Sequence, residues 1–196
     1  MSILRPPIPP PSAHQFTVDE HHRMIQTGIL DETDRVELLE GYVVDKMPHN
    51  PSHDGSIQLA QETLAPRIPA GWCMRIQSAV TLSDSEPEPE ITVARGTSRT
   101  YLTSHPRPAD VGMLVEIADS SLSRDRDKAR IYARAGVAIY WIVKLLDRQV
   151  EKYALPSGPT ATPSYGRQST YCIEDKIPLV LDGITIGDVA AKDLLP

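Results

Sequence analysis

The sequence predicts an α/β or α+β fold in which helices flank one mixed β-sheet. Residues 111–118, VGMLVEIA, form a nearly continuous apolar run that is typical of a strand buried on both faces. A helix is expected from about Leu122 to Ala135, ending at Gly136, and a second apolar run, AIYWIV at 138–143, follows directly. This strand–helix–strand order, with strands and helices interleaved elsewhere, indicates helices packed on a mixed sheet.

The first expected element is a helix that begins after a capping box. Thr17 and Glu20 have the spacing at which each side chain caps a backbone N–H of the first turn, and Gly28 is placed to end the helix. We expect His21 and His22, near the middle of this helix, to face water.

Two short strands and a second helix are expected next. The segment RVELLEGYVVDK at 35–46 is rich in strand formers, and Gly41 marks a turn inside it. Asn50 followed by Pro51 has the cap and first-turn proline pattern that begins a helix.

Strands and turns are expected in the other segments. The runs at 72–82 and 90–94 favour strands on either side of an acidic, proline-containing loop. QVEKYAL at 149–155 is a predicted hairpin partner for the strand at 138–143, and short strand-like pieces after 156 predict extra β-hairpins.

The amino-acid composition limits the classes of function that this chain can have. The chain has 196 residues, and its 20 basic and 26 acidic residues give a net charge of −6, which argues against strong non-specific binding to nucleic acid or anionic membranes. The two cysteines are too far apart for a C-x-x-C motif. We expect a soluble, cytoplasmic protein, with a proline-rich flexible tail over 1–14 and a single domain over 15–196.

Glu116 is the first candidate functional residue, because a carboxylate inside a central strand must be buried. A buried charge without a partner is costly, so we expect a lysine, an arginine or a metal ion beside it. Lys128 is a candidate partner, since its neighbours on the helix at i+3, i+4 and i+7 are apolar and its side chain should point toward the sheet. A structural ion pair, and a lysine that reaches solvent along its stem, are the alternatives.

Glu90 is the second candidate, at the point where the acidic loop enters a short strand. Glu88 could take its place with a small change of register, and most acidic loops are only solvated. Two carboxylates from adjacent strands with a lysine nearby are nevertheless the groups that Mg²⁺-dependent hydrolysis of a phosphodiester requires.

A basic stripe is expected on the helix at 122–135. Arg126, Arg130 and Arg134 follow one another at i, i+4 and i+8. Such a face is usually only solvated, but it can also follow phosphates, so DNA contact is expected either there or in a groove made by two subunits.

The order of these motifs resembles the Uma-type restriction endonuclease family of the PD-(D/E)XK nuclease superfamily. The resemblance runs from about residue 17 to the carboxyl terminus, and the YARAG…YWIV segment after an acidic strand is its most specific part. The matching segments are VELLEG (36–41), SHDG (52–55), EPEPEITV (86–93), LVEIADSSLSRDRDK (114–128), IYARAGVAIYWIVKLLDRQVEKY (131–153) and PLVLDG (178–183).

The resemblance implies a restriction-endonuclease-like core, DNA cleavage with Mg²⁺ or Mn²⁺ as cofactor, and a homodimer. It places Glu90 where the family has the Asp of its Pro-Asp pair, and Glu116 at the second metal-binding carboxylate, with the Ile117 carbonyl as a further ligand. It matches Lys128 to the catalytic lysine. The resemblance also places Glu37 and His53 at positions that support the site or the fold.

Three departures from the family pattern keep other functions open. First, Glu90 replaces Asp. Second, the stretch 125–128 is one residue shorter than the family spacing, which would rotate Lys128 by about 100° around its helix. Third, Lys144 stands where Asp or Asn is usual. The leading hypothesis is a metal-dependent DNA endonuclease. The alternatives are a catalytically degenerate nuclease fold that binds nucleic acid or another partner, and a structural domain with a buried ion pair.

Overall fold

The computed structural model describes residues 13–31 and 33–196. The predicted tail, residues 1–14, therefore falls almost entirely outside the described residues. Within them, no helix is long and apolar enough to cross a lipid bilayer.

The described residues form three α-helices and ten β-strands. The helices are α1 (Val18–Gln26), α2 (Pro51–Leu64) and α3 (Leu122–Ala135). The strands are β1 (Val36–Leu39), β2 (Tyr42–Asp45), β3 (Trp72–Ile76), β4 (Ile91–Arg95), β5 (Val111–Ala118), β6 (Ile139–Lys144), β7 (Gln149–Pro156), β8 (Tyr165–Cys172), β9 (Lys176–Leu181) and β10 (Ile184–Ala190).

Six strands form one mixed sheet in the order β3-β4-β5-β6-β7-β8. Only β5 and β6 run parallel, joined by α3, and the other neighbouring strands are antiparallel. The pairs β1–β2 and β9–β10 are separate antiparallel hairpins. The predicted fold class, a mixed sheet flanked by helices with extra hairpins, is confirmed.

The central strand β5 separates two hydrophobic cores. All eight of its residues are buried, as the apolar run predicted. Met113, Val115 and Ile117 pack on the side of α2 and the β9–β10 hairpin, whereas Leu114 and Ala118 pack on the side of α3. Because side chains alternate along a strand, Glu116 must also point toward α3.

Local signals place most element boundaries correctly. Thr17 and Glu20 form the predicted capping box of α1. Glu40 and Gly41 both have positive φ angles, +50° and +80°, as a two-residue turn between β1 and β2 requires. Gly136 ends α3 in the left-handed conformation, so β6 can return immediately to the sheet.

Two expectations were wrong. His21 is buried against Glu86 instead of facing water, and His22 also contacts Glu86 while its side chain stays 38% exposed, because α1 packs against the loop before β4. The strand predicted over 72–82 ends at Ile76, because Gln77 has a φ of +46° that interrupts the extended backbone. The residues after it are held by hydrogen bonds to loop segments, so their apolar side chains are buried without belonging to a strand.

Two glycine-to-alanine substitutions should change stability in opposite directions. A Cβ at Gly112 would lie 2.5 Å from the Trp72 ring and 2.9 Å from Leu181, whereas a Cβ at Gly55, inside α2, would meet nothing within 4 Å. We expect Gly112→Ala to lower the free energy of unfolding by about 1–3 kcal/mol. Gly55→Ala should raise it by up to about 1 kcal/mol, because alanine favours the helix. Urea denaturation of both variants tests this, and a neutral Gly112→Ala would contradict the close packing on β5.

The Glu86 carboxylate should make stability depend on pH at acidic values. Burial alone would raise its pKa, but hydrogen bonds from His21, Thr81 and His22 lower the pKa of Glu86 to about 2. The ionised carboxylate therefore stabilises the fold above about pH 4.5, and this contribution of about 2–3 kcal/mol is lost as the pH falls toward 2. Denaturation from pH 6 to pH 2 should give a flatter profile for Glu86→Gln than for the wild type. Parallel profiles would contradict this role.

Candidate active site

A polar cleft opens where α3 begins, beside the carboxyl end of β5. Its walls come from the β1–β2 hairpin, the amino-terminal turn of α2, the loop before β4 and the first turns of α3. The predicted residues Glu37, His53, Glu90, Glu116 and Lys128 all line this cleft. The fold thus brings together five residues that span 92 positions of the sequence.

Strand register puts Glu90 opposite Glu116. Ile91 pairs with Val115 in the antiparallel β4–β5 ladder, so the next residues outward, Glu90 and Glu116, face each other on the α3 side. Their carboxyl groups are hydrogen bonded to each other. Like charges directly opposite across strands are destabilising, so this pair needs a proton or a cation.

Lys128 lies among the carboxylates. Its Nζ is 3.1 Å from Glu116 Oε1 and 3.0 Å from Glu37 Oε2, and all three side chains are buried. The hydroxyl of Tyr132, one turn further along α3, donates to the same Glu116 oxygen at 3.0 Å. The shorter spacing before Lys128 therefore does not turn its side chain away from the site.

The two facing carboxyl groups differ in protonation. Burial alone would raise the pKa of Glu116, but the positive charge of Lys128 and the hydrogen bonds from Lys128 and Tyr132 lower it. Burial and the negative charge of Glu116 raise the pKa of Glu90 well above its usual value. Glu90 therefore holds a proton more strongly than Glu116 does. Burial opposes the charge of Lys128, but the surrounding carboxylates raise its pKa, so it stays an ammonium.

Asp125 is a cleft residue that the sequence reasoning did not select. Its carboxylate accepts from the Ser121 hydroxyl at 2.6 Å, while burial and the charge of Glu116 raise the pKa of Asp125 to about 7. The sequence feature that indicates Asp125 is its position three residues before Lys128, which places both side chains on the same face of the helix. It adds a carboxyl group that changes protonation near neutral pH.

His53 and Glu37 stand on either side of the paired carboxyl groups. His53 Nε2 is 3.5 Å from Glu90 Oε1, and the Ile117 carbonyl lies within hydrogen-bonding reach of the imidazole. The Ile117 N–H donates to the other Glu90 oxygen at 3.2 Å. Glu37 accepts from the backbone N–H of Glu88 at 3.2 Å as well as from Lys128.

A second group of metal-ligand side chains adjoins the cleft. Ligand atoms of His49, His53 and Asp54 lie within 4.8 Å of one another. The His49 and His53 rings are stacked, with centroids 4.2 Å apart, and His49 Nδ1 is 3.2 Å from Asp54 Oδ1. Burial and the neighbouring His49 lower the pKa of His53, so its ring is neutral and offers a nitrogen lone pair.

The predicted basic stripe is compensated by acidic partners. Arg126 pairs with Glu151, Arg130 with Glu40, and Arg134 with both Glu40 and Asp84. These ion pairs cancel much of the positive charge that DNA phosphates would meet. DNA contact by the stripe stays a prediction, and the ion pairs argue against it.

Two other basic residues line the cleft itself. Lys46, at the end of the β1–β2 hairpin, pairs with Glu88, and Arg124, in the first turn of α3, donates to the Asp45 carbonyl. Neither residue was predicted from the sequence to lie in the cleft, because their position beside the carboxylates depends on the hairpin folding over α3. Lys144 lies elsewhere, paired with Asp147 and 3.4 Å from Glu151.

The donor set suits a hard divalent cation. Glu116 is buried and the side chain of Glu90 is only 12% exposed, so the two facing carboxyl groups form a site where a cation could replace a proton. Carboxylate and carbonyl oxygens, here with Ile117 adjoining, are the ligands that Mg²⁺ and Mn²⁺ prefer. The residues present therefore fit the metal that the family resemblance implies.

Comparisons with known proteins agree with this fold. The chain is similar to the crystal structure of a putative nuclease belonging to DUF820 from Anabaena variabilis, with a TM-score of 0.66 and 16% sequence identity. The match covers 91% of this chain and 97% of that one. No match was found among curated proteins.

The family is shown by a sequence model. A family model described as Uma2, putative restriction endonuclease, matches residues 18–182, which include all the cleft carboxylates named above. The resemblance expected from the motifs is confirmed. On this match the chain belongs to the Uma2 family of putative restriction endonucleases.

Proposed function

We propose that this protein is a divalent-metal-dependent DNA endonuclease that hydrolyses phosphodiester bonds. The observation that carries the proposal is the buried pair of facing carboxyl groups, Glu90 and Glu116, with the Lys128 ammonium 3.1 Å from Glu116. A structural ion pair needs one carboxylate, whereas in this cleft a second carboxyl group, Glu90, faces Glu116 and needs either a proton or a cation. Membership of the Uma2 family supports the same reaction.

Glu90, Glu116 and the Ile117 carbonyl would hold the cation. When bound, a divalent cation supplies Lewis-acid activation of a phosphodiester and of the attacking water. Glu116 is the anchor of this set, because the hydrogen bonds from Lys128 and Tyr132 keep its carboxylate ionised and oriented.

Lys128 would act on the substrate directly. Two of its contacts, to Glu116 and Glu37, fix the direction of the ammonium, which retains a further N–H to donate. Donated to the scissile phosphate or to the attacking water, this hydrogen bond would offset the negative charge that grows in the transition state. Glu37 would then be a positioning residue that acts through Lys128.

DNA would approach along the wall that carries Arg124, next to Lys46, whose charge is balanced by Glu88. Both are half-buried cleft residues, and the Arg124 guanidinium has donors beyond its one contact with the Asp45 carbonyl. A chain with a net charge of −6 needs such a local basic surface to bind DNA. A homodimer and a cytoplasmic location remain predictions from the resemblance and the composition.

A second candidate function is a degenerate nuclease fold that binds nucleic acid without cutting it. The observation that favours it is Glu90, which is one methylene longer than the family's Asp and already bonds to Glu116 and the Ile117 N–H. A site closed in this way could reject Mg²⁺, which demands near-ideal octahedral geometry.

Nicking of supercoiled DNA tests the proposed reaction. We expect wild-type protein to nick DNA with Mg²⁺ or Mn²⁺ and not with EDTA. Glu116→Gln and Lys128→Met should each lower the rate by about 100-fold or more, since each removes a preorganised charge. The matched control is Glu62→Gln, which removes an exposed carboxylate on α2 and should cut at the wild-type rate.

The Glu90→Asp variant separates the two candidate functions. Cleavage that appears only in Glu90→Asp would favour the degenerate fold, because shortening the side chain would restore the family geometry. Metal-dependent cleavage by the wild type would favour the nuclease. If calorimetry detected no metal binding in any variant while circular dichroism showed folded protein, both metal-based functions would be wrong.

Arg124→Ala should weaken DNA binding more than Arg130→Ala. Arg124 lines the cleft, whereas the Arg130 guanidinium is paired with Glu40 on the surface. In a Glu116→Gln background, which prevents cleavage, we expect Arg124→Ala to lower affinity several-fold and to reduce the salt slope by about one. Fluorescence anisotropy over a range of salt concentrations measures both quantities. The reverse order of effects would assign DNA contact to the basic stripe on α3.

A further inference from the structure

We propose that His53 is a direct metal ligand through Nε2 and that it makes the site prefer Mn²⁺ to Mg²⁺. This inference rests on the proposed metal site and adds a nitrogen donor to its carboxylate and carbonyl oxygens.

The first support is the distance between His53 Nε2 and Glu90 Oε1. At 3.5 Å it is long for a hydrogen bond between these groups. Neighbouring ligand atoms that each lie about 2.1 Å from one octahedral cation are about 3 Å apart, so an inward shift of about 0.5 Å would let His53 Nε2 and Glu90 Oε1 hold the same cation. The other Glu90 oxygen accepts from the Ile117 N–H, which turns Oε1 toward the imidazole.

The second support is the burial of the imidazole. His53 is only 7% exposed, and its Nδ1 is one of the buried polar atoms in the described part of the chain that has no hydrogen-bond partner. Burial therefore keeps the ring away from solvent, and the nitrogen that faces the carboxyl groups is Nε2, 3.5 Å from Glu90 Oε1.

The position of α2 places His53, and not its neighbours on the helix, where it can bind the cation. Asn50 caps the helix by accepting from the His53 backbone N–H, and its side-chain amide donates to Asp119, directly after β5, which holds the first turn beside the end of that strand. His53 lies on the inner side of this turn, while Asp54 is exposed. The helix start therefore carries the imidazole into the cleft.

The adjacent group of His49, His53 and Asp54 is a poorer place for the cation. The two imidazole rings are stacked with an angle of 26° between their planes. Their nitrogen lone pairs therefore lie in two nearly parallel planes and do not converge on one point. Asp54 is exposed and already lies against His49. The ring nitrogen nearest the buried carboxyl groups, His53 Nε2, is thus the one placed to share a cation.

A nitrogen ligand changes which metal is bound. Mg²⁺ strongly prefers oxygen, whereas imidazole suits transition metals, and Mn²⁺ accepts both kinds of ligand. An oxygen site with one imidazole should therefore bind Mn²⁺ at least about tenfold more tightly than Mg²⁺.

Calorimetry with MnCl₂ and MgCl₂ measures this preference. We expect His53→Gln to lower Mn²⁺ affinity about tenfold or more and to lower Mg²⁺ affinity much less, which removes the preference. The matched control, His49→Gln, removes the stacked imidazole and should keep the preference for Mn²⁺. Unchanged Mn²⁺ affinity in His53→Gln would overturn the inference, and loss in His49→Gln alone would assign the cation to the adjacent group.

Electron spin echo spectroscopy of Mn²⁺-loaded wild-type protein gives a readout that does not depend on how the variants fold. We expect modulation from a directly bound histidine nitrogen, shifted by ¹⁵N-histidine labelling and retained in His49→Gln. Bound Mn²⁺ without nitrogen modulation would overturn the role of His53 and leave the proposed nuclease intact, if cleavage still required Glu116. Absence of any bound metal would overturn both.

Discussion

The buried ammonium of Lys128 is the interaction on which this site depends. Glu37, Glu116 and Lys128 are each nearly inaccessible to water, so none of them could remain charged in the interior without the others. Removing one partner from such a set usually costs several kcal/mol, because it leaves an uncompensated buried charge. The same contacts join the β1–β2 hairpin, β5 and α3, so the electrostatic centre of the cleft also connects the elements that form it.

The cleft holds more carboxyl groups than Lys128 can balance. The pKa of Glu90 is raised well above its usual value and that of Asp125 to about 7, because both are largely shielded from water and lie beside the negative charge of Glu116. Buried acidic groups in excess of the available positive charge ordinarily destabilise a folded protein. A bound divalent cation would balance this excess of carboxyl groups. The proposed function and the proposed role of His53 both start from that excess. The net charge of −6 arises partly from this centre, whereas Arg126, Arg130 and Arg134 of α3 are paired with acids of other elements.

Local sequence patterns predicted the elements well where the signal is contained within a few residues. The Thr17–Glu20 capping box, the Asn50–Pro51 helix start and the left-handed Gly136 each act through neighbouring backbone groups, and each is found as expected. The strand at 72–82 was predicted too long because burial of its apolar residues is achieved in a loop. The water-facing orientation expected for His21 was wrong because Glu86, 65 residues away, binds it.

The sequence by itself determined the family, the buried strand that carries Glu116 and the helix that carries Lys128, since these depend on hydrophobic runs and helical spacing. Only the tertiary structure decided which acids meet. Glu90 faces Glu116 because of strand register, Glu37 reaches Lys128 because a hairpin folds over α3, and His53 enters the cleft because α2 begins beside β5. Contacts between distant segments depend on how whole elements pack, and no local propensity encodes that packing.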